Sequence, residues 1–61
     1  MNKFADFLDR FLYYRSKGLS FREAKEKTIA EMFAFGIIKS EEEIEHDKEE
    51  YMKKKMTINI Y

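Results

Sequence analysis

The run Thr28-Ile29-Ala30-Glu31-Met32-Phe33-Ala34-Phe35-Gly36-Ile37-Ile38 holds more apolar surface than one face of one helix can hide, in a chain where 39% of residues are charged. At about 100° per residue, Thr28, Met32 and Phe35 share a stripe with Phe21 and Ala24. Ile29 and Phe33 lie roughly 100° round from that stripe, and Ala30 and Ala34 lie further still. The stripe suffices for one partner helix, so the remainder calls for a second covering surface. Burying a Phe is worth about 1.5–3 kcal/mol over leaving it in water, which makes the identity of that cover important.

Upstream of the run, Phe4, Phe7, Leu8, Phe11 and Leu12 recur at i, i+3, i+4, i+7 and i+8, with Lys3, Asp6, Arg10 and Lys17 pointing elsewhere. This spacing predicts an amphipathic helix. Asn2 is placed to cap it, Asp6 and Arg10 to pair at i,i+4, and Gly18 to end it in a left-handed residue. Ser20 and Glu23 then form a capping box, which predicts a second helix from about Phe21 to Phe35. Downstream, Gly36 ends or kinks that helix, and Ser40 with Glu43 repeats the box. The third helix has Glu41, Glu42 and Glu43 at its start and Lys53, Lys54 and Lys55 at its end, in accord with the helix dipole. Its apolar stripe is thin, Ile44, Tyr51, Met52 and Met56. It is expected to cover only part of the excess on helix two.

The sequence therefore predicts a single all-α domain over 1–61: an antiparallel hairpin of two helices and a charged third helix, assembled as a helical homodimer. Self-association is expected through Ile29, Met32, Phe33, Ile37 and Ile38. Length supports this, because 61 residues give a thin core and the chain has no Cys with which to brace it. The last residues, Thr57-Ile58-Asn59-Ile60-Tyr61, alternate and are β-branched, which predicts a short extended or frayed tail over 57–61.

Net charge is zero but unevenly spread. Residues 1–39 carry eight basic against five acidic side chains, and residues 40–61 carry four against seven. Such polarity can orient docking within a dimer or on a target, over about a Debye length. Candidate partner-binding residues are Glu42, Glu45 and Glu49 on the acidic helix and Arg15, Lys17 and Arg22 around the turn between the first two helices. The acidic row could occupy phosphate subsites on a nucleic-acid enzyme, and the basic turn could itself sit on phosphates.

Catalytic motifs are not recognisable. With one His and no Cys, nucleophilic triads in their usual forms are excluded, and the two glycines do not make a phosphate loop. Glu43 and His46 have the Glu-x-x-His spacing of di-iron carboxylate helices. His46, however, lies about 200° round from Ile44 and should face water. No cofactor, no metal and no enzymatic activity are expected. Ser16-Lys17-Gly18-Leu19 could serve as the turn of a helix-turn-helix, but the would-be recognition helix becomes almost wholly apolar from Ile29 onward.

The functional expectation is a small non-enzymatic regulator or inhibitor that binds protein through helical contacts, of the size often encoded by phages and other mobile elements. The rival is a small DNA-binding transcriptional regulator using the basic turn. No segment has the length and apolarity of a membrane span or signal peptide, and the lack of Cys suits a reducing compartment, so a cytoplasmic location is expected.

Overall fold

A computed structural model describes residues 2–59 of the chain, with side chains as far as Lys54. Three helices account for most of it: α1 (Lys3–Ser16), α2 (Phe21–Ala34) and α3 (Glu42–Asn59). No strand occurs among the described residues, and no helix there is long and apolar enough to cross a membrane.

Each boundary follows from local chemistry. The Asn2 side chain accepts a 2.9 Å hydrogen bond from the Ala5 N–H and so caps α1. At the other end Gly18 takes a φ of +93°, and the N–H groups of Gly18 and Leu19 return to the carbonyls of Arg15 and Tyr14. The predicted box opens α2, with the Glu23 N–H donating to Ser20 Oγ and the Ser20 N–H to the Glu23 carboxylate. Phe35 caps the end of α2, and Gly36 at φ +71° turns the chain so that the Ile37 N–H meets the Met32 carbonyl at 2.9 Å. Before α3, the Glu43 carboxylate accepts from the N–H groups of Lys39 (2.5 Å) and Ser40 (3.0 Å). This is the carboxylate half of the second predicted box.

The helices share a spine. Stacked rings run along α1 from Phe4 to Phe7 (6.2 Å) and from Phe7 to Phe11 (5.8 Å). One end of this row meets Tyr51 of α3 edge-on at 5.3 Å, and the other meets Phe21 of α2 edge-on at 5.0 Å. Tyr14 lies by Lys27, while Arg10 reaches Glu31 and Phe35, so α1 and α2 pack in antiparallel order. Each of α2 and α3 packs on α1, with no close backbone approach between them. The core is small: Ala24, Thr28 and Met32 of α2, Ile38 of the link and Ile44 of α3 are buried, and Phe4, Phe7, Ile29 and Ile37 are partly buried against this cluster.

Two expectations change. Met32 and Ile38, predicted to lie between copies, are 0% and 2% exposed within one chain, because the turn at Gly36 folds the link back onto Met32 and beneath Ile44. The third helix packs mainly on α1, with Tyr51 against Phe4 and its carboxylates on Lys3, and, as expected, meets only part of the apolar surface of α2, where Ile44 joins Met32 and Ile38 in one buried cluster. The helical backbone continues through Thr57 to Asn59, within the 57–61 segment expected to be an extended or frayed tail. The rest of that tail, Ile60 and Tyr61, lies outside the described residues.

Candidate protein-interaction groove

Because the backbones of α2 and α3 approach α1 but not each other, a trough of about 300 Å³ opens between them. Phe4, Phe7, Leu8 and Phe11 of α1 form its floor. Phe21 and Ile29 line the α2 wall, and Ile44 lines the α3 wall. Phe21 is 64% exposed at the mouth, and Leu12, one turn beyond Leu8, is 59% exposed. A contiguous apolar surface of this kind is what protein-binding grooves present, with anchors entering a dry floor inside a polar rim.

The rim is charged and mixed. Lys25 stands on the α2 side, and Glu41, Glu45 and Lys48 stand on the α3 side. Among the described residues none of these four side chains makes an ion pair. Other charges serve the fold. Arg10 bridges Asp6 (3.2 Å) and Glu31, and the Tyr14 hydroxyl also donates to Glu31. Those bonds from Tyr14 and Arg10 hold the Glu31 carboxyl below the usual range, and the same carboxylate pushes the Tyr14 phenol up. A hollow lined by Asp6, Asp9, Arg10, Tyr13, Tyr14 and Glu31 lies beside this cluster. Arg10, Tyr14 and Glu31 of this hollow are engaged in joining α1 to α2.

A third charged region ties α3 to the start of α1. Lys3 Nζ pairs with Glu43, the Lys3 N–H donates to Asp47 Oδ2 at 2.8 Å, and Asn2 Nδ2 donates to the Asp47 carbonyl at 3.0 Å. The Lys3 ammonium, aided by the N–H of Lys39, lowers the Glu43 carboxyl to about 2. His46 is exposed and its ring faces Asp47 at 3.5 Å. Glu43 thus serves the Lys3 contact and the helix start rather than a site shared with His46. No group of three or more potential ligands is arranged to hold a metal ion among the described residues.

The six residues singled out as partner-binding candidates all stand exposed, but in two separate places. Arg15, Lys17 and Arg22 flank the α1–α2 turn. There the Arg15 guanidinium donates to the Leu19 carbonyl, the Lys17 ammonium lies 5.3 Å from the Tyr13 ring, and Arg22 pairs with Glu26 at 3.4 Å. Glu42, Glu45 and Glu49 lie along α3. Of the predicted self-association residues, Ile29 lines the trough and Ile37 is half-buried. Phe33, 43% exposed, is turned away from the trough. Leu8, Phe11 and Phe21, which line the trough, were not singled out in the sequence because each also fits an intramolecular stripe. The signal was the width of the α1 stripe, since the Leu8–Leu12 row lies outside the Phe4–Phe7–Phe11 row that α2 and α3 use.

Compared with known protein families, with curated proteins and with solved structures, the chain finds no match.

Proposed function

We propose that this chain is a small non-enzymatic regulator or inhibitor that works by helical protein–protein contacts and assembles as a homodimer. The trough on α1 carries the reading. Its floor and mouth leave large aromatic and aliphatic side chains accessible between the α2 and α3 walls. Aromatic anchors of this kind supply most of the free energy in protein interfaces, while a charged rim supplies orientation. The exposed charged rows, Glu42, Glu45 and Glu49 on α3, with Glu45 also on the trough rim, and Arg15, Lys17 and Arg22 at the turn, are the surfaces offered to a target such as a nucleic-acid enzyme.

Site-specific photocrosslinking in the cell that encodes the chain tests this reading. The photoreactive residue is placed in turn at Leu8 in the trough, Glu49 on α3 and Lys17 at the turn. A binding regulator gives discrete adducts to a protein other than itself at one or more of these positions. If Lys17 captures only nucleic acid, and duplex DNA is retained with an affinity that falls steeply as salt rises, the chain is a DNA-binding regulator instead.

A further inference from the structure

We infer that the trough is occupied by the trough of a second copy of the chain, with the twofold axis running along its length. This rests on reading the trough as a protein-binding surface, and it names the partner.

The charge on the two walls selects the partner. Lys25 on the α2 wall and Glu41 on the α3 wall line the same stretch of the trough, and Glu41 also borders the neighbouring hollow with Arg22, Lys25 and Ile29. A dyad parallel to the trough exchanges left and right walls while keeping position along its length. Lys25 of each copy then stands over Glu41 of the other. A dyad across the trough would instead set α2 against α2 and α3 against α3; Glu41 or Glu45 could then meet Lys48, but Lys25, the one charged side chain lining the α2 wall, would meet no acid. Only the first arrangement gives Lys25 an acid from the rim of the other copy.

Two further observations favour a like partner. The whole chain carries no net charge, so copies approach without long-range repulsion. Among the described residues only five side chains are buried, a thin core for which association is the common remedy. Leu8, on the floor near the axis, would face its own counterpart, as an isologous contact requires.

Light scattering on a size-exclusion column reads the outcome, with circular dichroism confirming helicity. Wild-type chain is expected at twice the monomer mass. Lys25→Glu and Glu41→Lys each set two like-charge contacts at the interface and should weaken association about tenfold to hundredfold at low salt. An equimolar mixture of the two variants should recover the dimer, since each chain then meets the opposite charge. A role for Lys25 or Glu41 within one chain predicts no such rescue. An independent variant, Leu8→Cys, should form an interchain disulfide under mild oxidation, whereas Glu49→Cys on the outer face should not.

A wild-type monomer at every concentration overturns the second copy as occupant, and crosslinking at Leu8 then decides separately whether the trough binds another protein. A dimer that ignores both charge reversals, or variants that the mixture does not rescue, overturns the lengthwise axis. Failure of Leu8→Cys to link a dimeric chain does the same.

Discussion

Asp47, in the second turn of α3, accepts a 2.8 Å hydrogen bond from the backbone N–H of Lys3, the first residue of α1. A carboxylate from one helix thereby meets an unpaired N–H at the positive end of another. Glu43, one turn earlier, pairs with the Lys3 ammonium and also closes the turn into α3 through the N–H groups of Lys39 and Ser40. Two carboxylates on one face of α3 therefore fix where it crosses α1. Asp47→Asn and Glu43→Gln should each lower the thermal midpoint followed by circular dichroism, and amide exchange should show the loss concentrated in α3.

Acid should act through the same contacts. The Glu43 carboxyl lies at about 2 in the folded chain against an ordinary 4.5, and those of Asp47, Glu31 and Glu23 are also lowered. A carboxyl that ionises more readily when folded binds fewer protons folded than unfolded. Its stabilisation is therefore complete above about pH 4.5 and is lost as pH falls toward 2. Denaturation midpoints in urea measured from pH 6 to pH 2 should fall over that interval, and Glu43→Gln should flatten the fall. An unchanged acid limb in that variant would assign the loss to other carboxylates.

Thr28 sits at the α1–α2 contact, fully buried, and its hydroxyl has no hydrogen-bond partner. An unsatisfied buried hydroxyl costs about 1–3 kcal/mol, whereas an apolar group of the same shape makes no such demand. Thr28→Val should raise stability by about 1 kcal/mol in urea titration, even though β-branched Val is no better a helix former than Thr. A loss of stability would mean that the hydroxyl is served by a group that helix α2 does not display.

The helices were legible in the sequence because their ends are written in local chemistry. Asn2, Gly18, the Ser20–Glu23 box and Gly36 each act on backbone groups within a few residues, and each acts in the structure as its type predicts. The side of α1 to which α3 would dock was not legible. It depends on Asp47 and Glu43 reaching Lys3 across 44 and 40 residues and on the edge-on meeting of Phe4 with Tyr51, which no periodicity encodes. The same limit explains Met32 and Ile38. Apolar excess on a helix shows that a cover is needed, while the turn at Gly36 determines that its own link supplies part of it.

Adjacent residues on α2 should therefore respond oppositely to substitution. Met32 is at the centre of the core, and Met32→Ala should cost about 2–5 kcal/mol in urea titration, enough to unfold a chain of this size in large part. Phe33 is turned outward, so Phe33→Glu should stay folded, with a change of about 0.5 kcal/mol or less. If Phe33→Glu loses its helicity, Phe33 is packed by residues of its own chain beyond those now assigned to the core.

Gly36 offers the last separation of causes, between side-chain space and backbone conformation. A Cβ added there would meet nothing within 4 Å, so no steric clash opposes Gly36→Ala. The residue nevertheless sits at φ +71°, the left-handed region that costs an L side chain about 1–2 kcal/mol. That conformation carries the chain out of α2 and lays Ile37 and Ile38 back over Met32. Gly36→Ala should accordingly destabilise the fold by about 1–2 kcal/mol in urea titration. A synthetic chain with D-alanine at 36 prefers the same φ and loses unfolded-state freedom, so it should gain about 0.4–1 kcal/mol. Equal losses from both enantiomers would show that space, not chirality, governs the turn, contrary to the open surroundings of this glycine.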